Sequence, residues 1–317
     1  MTIFNGFPAG AEPELLSSKM IWDQAPHNAF TDLIYYKGKW YCVFREGEDH
    51  ADRSLGAIRL LTSPDGKAWE SVKLFKEDGV DLRDPKLSLT PENQLMLLIG
   101  GTIFTKDKVT RNSQVAFSSD GVDWTPFTVV LPENEWLWRV AWHEGKAYGV
   151  SYRAEEKSWP VTLFVSGNGI DYEKVKEFNI EGKPNETTLR FKKNGEMVAL
   201  MRRGEYPSGA TLIGHSPPPY TDWTWSDTKT DFDGPDFIIL PDGQMWASGR
   251  IMKSEDVEKT VLAKMDLVSL TPVLELPSGG DDTSYPGMVY QDGILWISYY
   301  SSHIGEKSSI YIAKVRL

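Results

Sequence analysis

Arginine closes four of six recurring apolar runs in this chain: Arg45, Arg153, the pair Arg202-Arg203, and Arg250. The remaining two runs end in Gly100-Gly101 and in Ser301 with His303. Polar groups open the runs that pair with them: His27 and Asn28, Arg83 and Asp84, Trp138 and Arg139, Asn185 and Glu186, Asp236, and Asp282 with Tyr285. Guanidinium groups gathered in one place repel unless anions partner them. Those anions are either a ligand or protein carboxylates, with Asp84, Glu186, Asp236 and Asp282 closing a structural polar ring. Histidine, tyrosine and arginine around a uronic acid suit β-elimination, with arginine neutralising the carboxylate and His27, His303 or a tyrosine moving the proton. Trp138 and Trp159 are candidate platforms for the apolar face of a sugar, or else packing groups between sheets.

The elements that must position these residues recur six times. Each is a short apolar strand, a tight polar turn and a second apolar strand. The turns are Lys37-Gly38, Glu92-Asn93, Glu144-Gly145, Asn194-Gly195, Asp242-Gly243 and Asp292-Gly293. Asn-Gly and Asp-Gly between apolar runs are hairpin signals, because both residues can take positive φ. A period of roughly 50 residues suits a four-stranded propeller blade. Three repeats add a second turn: Ser63-Pro64-Asp65-Gly66-Lys67-Ala68-Trp69, Ser118-Ser119-Asp120-Gly121-Val122-Asp123-Trp124 and Ser166-Gly167-Asn168-Gly169-Ile170-Asp171-Tyr172. Its Ser and Asp can bond the turn backbone, and Gly supplies positive φ. A fourth repeat keeps a remnant, Ser216 to Trp223.

The pattern predicts an all-β chain forming one domain over residues 1–317, a six-bladed β-propeller. The last repeat stops at Leu317 one strand short, so Leu15–Trp22 is expected to complete it and remove the open edge. In such a ring the first strand of each blade lines the channel. The start of strand one and the end of strand two then share one face, and the Ser-x-Asp turns share the other.

Composition excludes several functions. The net charge of −11 argues against nucleic acid as a partner, since no basic stripe displaces counterions. The single cysteine, Cys42, forbids an internal disulfide. No apolar stretch approaches the length of a membrane span, and the N-terminus does not read as a signal peptide. No cofactor is implied, and no clustering along the sequence points to a metal site.

The Ser-x-Asp turns resemble the Asp-boxes (BNR repeats) of the sialidase superfamily, in a form one residue shorter, and six blades is also the sialidase number. The resemblance implies a retaining, exo-acting glycoside hydrolase whose carbohydrate substrate is a terminal, acidic sugar. It puts the tyrosine nucleophile at Tyr285, in Asp282-Thr283-Ser284-Tyr285-Pro286, and its base at Glu186, in Asn185-Glu186-Thr187. It puts the acid on the loop Arg45-Glu46-Gly47-Glu48-Asp49-His50-Ala51-Asp52-Arg53, at Asp49 or Asp52; Asp84, at a strand start, is a further candidate from its position. Of the carboxylate-binding arginines, Arg202 or Arg203 fits one position and Arg250 another loosely. The first blade carries Asn28-Ala29-Phe30-Thr31-Asp32 where sialidases carry an arginine. Arg83-Asp84-Pro85 also resembles a motif of furanosidase propellers, folds of five blades, in which Asp32 would be the first-blade carboxylate. A lectin-like, non-catalytic propeller is the third expectation.

Overall fold

A computed structural model describes residues 12–50, 54–156, 158–204, 209–254, 257–280, 282–305 and 307–317. Its strands form six four-stranded antiparallel sheets, the blades of a propeller. The first strands of blades one to six are His27–Tyr36, Val80–Leu89, Trp136–His143, Pro184–Phe191, Asp233–Ile239 and Thr283–Gln291. The sixth blade takes its outer strand from Glu14–Trp22, which pairs antiparallel with Ser309–Arg316. The two ends of the chain thus close the ring, as the sequence predicts. No helix of the described residues is long and apolar enough to cross a membrane.

The hairpin turns divide into two kinds. In blades one, three and six both central residues take positive φ: Lys37 and Gly38, Glu144 and Gly145, Asp292 and Gly293. That is the primed turn whose twist matches the strands. In blades two, four and five only Asn93, Gly195 and Gly243 do. There the chain closes through longer loops, such as Leu240 to Gln244, so Asn194 and Asp242 do not take the positive φ expected of them.

The Ser-x-Asp turns repeat one geometry. Ser63, Ser118 and Ser166 Oγ accept from Gly66, Gly121 and Gly169 N at 2.8, 2.8 and 2.9 Å. Asp65, Asp120 and Asn168 each accept from the next two backbone amides but one. Gly66 lies against the Trp296 ring, where a Cβ would come within 2.3 Å. Each turn therefore also seats a neighbouring blade.

The feature that builds the functional face is a β-bulge repeated at the start of every first strand. In each blade two first-strand residues oppose one of the second strand, with register shifts at Ala29/Asp32, Arg83/Lys86, Leu137/Val140, Pro184/Thr187, Asp233/Asp236 and Ser284/Gly287. Bulges bend a strand and re-aim its side chains. The first bulged residue is in turn Phe30, Asp84, Trp138, Asn185, Gly234 and Tyr285. Four of these hold positive φ: Phe30 at 60°, Asp84 at 48°, Gly234 at 55° and Tyr285 at 49°. For a non-glycine residue that strain is worth about 1–3 kcal/mol and persists only where the surroundings enforce it.

Candidate active site

The bulged residues converge on Tyr285. Its ring meets Phe30 edge-on at 5.1 Å and Trp138 at 5.7 Å between centroids. Gly234 makes room for it, since a Cβ there would lie 2.9 Å from the Tyr285 ring. The Tyr285 hydroxyl donates to Glu186 Oε1 at 2.7 Å. Arg202 Nη1 bonds the same Glu186 oxygen at 2.9 Å and reaches the Tyr285 oxygen at 3.4 Å. Tyr285 and Glu186 are 7% and 6% exposed, so the pair works in a low dielectric. Burial, and then the Glu186 charge, raise the Tyr285 pKa well above its ordinary value. The phenol keeps its proton at rest and holds it against the carboxylate that can take it. Glu186 Oε2 is buried with no hydrogen-bond partner.

Arg202 Nε also pairs with Asp233. Arg250 Nη2 pairs with Asp233 at 3.2 Å, and its Nη1 with Glu258 at 3.2 Å and Asp282 at 3.8 Å. Asp84, half-buried, has its pKa raised, first by burial and also by the nearby Glu186 charge, against the opposing charges of Lys86, Arg83 and His50. It is the one carboxyl among the first bulged residues, and the shift is toward keeping its proton. Tyr152 borders the same group: its pKa is raised well above normal by burial and by Glu186 and Asp84. Trp159 stacks on Tyr152 at 5.7 Å and 1°, forming an aromatic wall.

A second cluster lies on the far side of Phe30. Asp282 Oδ2 accepts from His27 Nε2 at 2.8 Å and His50 Nδ1 at 2.6 Å, and its Oδ1 from the Tyr300 hydroxyl at 2.6 Å. Burial works against the Asp282 charge, but the bonds from His27 and His50 outweigh it, and its pKa falls below the usual range. One ligand atom from each of His27, His50 and Asp282 lies within 4.8 Å of the others. The sequence points to no metal-ligating group because these three residues are far apart along the chain and meet only in the fold.

Beneath the mouth is a buried polar layer. Arg139 pairs with Asp32 at 2.8 Å and Asp236 at 3.5 Å, and Arg190 with Asp236 at 2.8 Å. The Lys86 amine lies 4.8 Å from the Trp138 ring centre. Arg139 and Asp236 are thus ion-pair partners within this layer, and among the described residues Asp236 pairs with none of the strand-end arginines. Asp32, 1% exposed, also accepts from Leu87 N at 2.7 Å, so both of its oxygens are engaged within this buried layer.

Several further expectations are corrected. Arg45 does not face the mouth; it is fully buried and paired with Asp81 at 2.9 Å. Arg83 binds the same Asp81. Asn28 is fully buried and donates to Ala25 and Ser308 carbonyls, tying blade one to blade six. Arg153 pairs with Glu135 and Glu155, and Arg203 with Asp227. His303 packs on Tyr311 and bonds Ser301. The Asp49 carboxylate accepts from Ser54 at 2.9 Å, and the loop reaches the mouth through His50 instead. Asp52 lies outside the described residues. His50, Asp233, Glu258, Tyr152 and Tyr300 were missed as site residues. Asp233 had a signal: Asp84-Pro85, Gly234-Pro235 and Tyr285-Pro286 share one phase, and aligning on them puts Asp233 at a strand start.

No protein-family model matches the sequence, and no curated protein sequence matches it. Solved structures do. A protein of unknown function from Dyadobacter fermentans DSM 18053 matches with a TM-score of 0.84 at 16% identity, over 96% of this chain and 99% of that one. Trypanosoma rangeli sialidase in complex with sialic acid matches at 0.69 and 14% identity, over 92% of this chain and 54% of that one. Penicillium chrysogenum α-L-arabinanase complexed with arabinobiose matches at 0.71 and 13% identity, over 95% and 98%. The chain spans little more than half of the sialidase. These likenesses define the class: a six-bladed β-propeller of the architecture found in sialidases and in arabinan-cleaving enzymes. The arabinanase match runs over 95% of this chain, so six blades do not by themselves set the fold apart from that of an arabinan-cleaving enzyme.

Proposed function

We propose that the protein is a retaining, exo-acting glycoside hydrolase with Tyr285 as its nucleophile. The observation that carries this is the 2.7 Å bond from the Tyr285 hydroxyl to Glu186, with Arg202 on both groups. A phenol with a raised pKa is a weak nucleophile until a neighbouring base removes its proton. The Tyr285 oxygen attacks the anomeric carbon and its proton passes to Glu186. The glycosidic C–O bond breaks as Asp84 protonates the leaving oxygen. Water then attacks the glycosyl-tyrosine, Asp84 takes the water's proton, and Glu186 returns one to the phenolate. Two displacements at one carbon retain configuration. Asp84 is preferred to Asp49 as the acid, because its carboxyl is held toward the protonated form while that of Asp49 is bonded to Ser54. The exo mode follows from the closed ring, whose mouth admits a chain end more easily than a chain middle.

The three Ser-x-Asp turns act in this reading as shortened Asp-boxes, which hold blades and take no part in catalysis. Support for an acidic sugar narrows to Arg202 and Arg250, both already shared with Asp233. A neutral terminal sugar is the second reading, with the stacked Trp159 and Tyr152 rings offering it an aromatic wall.

The test is Tyr285→Phe assayed on a panel of acidic and neutral glycosides. Hydrolysis is abolished while binding is nearly intact, since only the hydroxyl acts in the transition state. Full activity in the variant ends the proposal. Unsaturated uronate products from the wild type indicate a lyase, and binding with no turnover of any glycan indicates a lectin.

A further inference from the structure

We infer that His27, His50 and Asp282 form a binding site for a divalent transition-metal ion of the zinc type, beside Tyr285 at the channel mouth. Two imidazole nitrogens from blade one and the loop after its second strand converge on one oxygen of a blade-six carboxylate, at 2.8 and 2.6 Å. The three ligand atoms fall within 4.8 Å of one another. Two imidazoles and a carboxylate are a donor set that zinc takes at about 2.0–2.2 Å, in sites that keep a further position open. An ion would replace the present hydrogen bonds, so the ligand atoms would have to rotate apart around it.

Three surroundings favour a cation here. Tyr300 bonds the other Asp282 oxygen at 2.6 Å, the kind of outer partner that fixes a ligating carboxylate. Asp282, Glu258 and Asp233 lie around Arg250 at 3.8, 3.2 and 3.2 Å, and although Arg202 also pairs with Asp233, the three carboxylates outnumber these two guanidinium groups. The His50 side chain is half-exposed while those of His27 and Asp282 are largely covered, which leaves an ion accessible from the His50 side. His50 and Tyr285 pack on the same Phe30 ring, at 5.0 and 5.1 Å. On the glycosidase reading, the open position would take an oxygen of the sugar whose anomeric carbon faces Tyr285.

The site is tested without substrate. The full chain is stripped with a chelator, dialysed and titrated with Zn²⁺ by calorimetry, with Co²⁺ as an absorbing substitute. One Zn²⁺ per chain is expected, with Co²⁺ giving the visible bands of a low-coordinate N/O site. His50→Ala removes a half-exposed ligand, so the apo melting temperature should hold while affinity falls more than about 100-fold, beyond the roughly 10–100-fold expected for the outer-partner change Tyr300→Phe. His303→Ala should leave binding unchanged. No binding to the wild type, or equal binding to His50→Ala, overturns the site. Tyr285→Phe should bind Zn²⁺ normally, so the metal site and the nucleophile fail or stand separately. If Zn²⁺ binds but does not change KM for a glycoside that the wild type hydrolyses, the substrate-contact role is overturned.

Discussion

The two faces of the propeller are built by opposite means. On one, the side chains of the Ser-x-Asp turns bond within their own turn, Ser118 to Gly121 and Asp120 to Val122 and Asp123, and only turn carbonyls such as Ser119 O and Asp120 O accept from the neighbouring blade, from Tyr36, Lys37 and Tyr41. On the other, the decisive bonds join residues far apart in sequence. Tyr285 and Glu186 are 99 positions apart, His50 and Asp282 are 232, and His27 and Asp282 are 255. The turn face repeats one solution with nearly the same residues. The mouth repeats one backbone device, the bulge, and fills it with Phe30, Asp84, Trp138, Asn185, Gly234 and Tyr285. Sameness serves the architecture, and variation at a single repeated position creates a site.

That contrast breaks first at Glu186. Glu186→Gln keeps the side chain's shape and an acceptor oxygen but removes the base, so kcat should fall by about 10²–10⁴-fold. Melting should move by only a few degrees. A variant with full activity would leave the mouth no more chemical than the turns.

Gly234→Ala comes next and separates the two faces by mechanism. A methyl at φ 55° is strained and lies 2.9 Å from the Tyr285 ring. Stability should fall by about 1–3 kcal/mol. Displacement of Tyr285, the proposed nucleophile, should lower kcat/KM by on the order of 10–10²-fold. A loss of stability with unchanged activity, read by calorimetry and kinetics together, would mean that the ring of bulges does not position Tyr285. Ser118→Ala, on the turn face, is the converse. It leaves the Gly121 amide without its acceptor, for about 1–2 kcal/mol, and kcat/KM should be unchanged. An altered kcat/KM would couple the faces.

The same contrast explains what could be read from the sequence. Short-range features were legible: the hairpin turns, the three Ser-x-Asp turns, the six-fold period and the missing outer strand supplied by Glu14–Trp22. Even here Asp266 went unnoticed, although it caps a blade-five turn by accepting from Val268 and Ser269 N at 2.7 Å each; it lacks the Ser and Gly that mark the others. At the mouth, strand phase put Tyr285 and Glu186 at strand starts, the sialidase resemblance singled them out as a pair, and the fold brings them together. Arginine partners were not legible. Arg45, Arg202 and Arg250 all follow apolar strands, yet Asp81 buries the first while Asp233 holds the other two beside Tyr285. The side a strand end turns toward depends on carboxylates from the next blade, which local pattern does not reveal. His50 was hidden because its loop reads as a run of charges.

The smallest expected effect lies between the faces, in the buried layer under the mouth. Lys86 is 2% exposed, and its pKa is lowered from 10.5 to about 8, first by burial, then by Arg139, against Asp32, Asp84 and Asp236. Between about pH 8 and 10.5 the unfolded chain therefore holds a proton at this lysine that the folded chain has lost. Stability gains a term that rises with pH across that window, and below pH 8 the burden of a buried charge is present in full. Lys86→Met removes the term, so the melting temperature of the variant relative to the wild type should be highest below pH 8 and decline toward pH 10.5. The same change should reach the mouth. The Lys86 charge lowers the Asp84 pKa, opposing burial and Glu186. If Asp84 is the acid, activity falls as pH rises through its pKa, because the protonated carboxyl is the working form. Without Lys86 that pKa climbs further, and the alkaline limb of kcat/KM should move to higher pH. A limb that moves to lower pH, or stays fixed while the stability difference changes as expected, would take the acid's role from Asp84 and leave Lys86 as a packing residue alone.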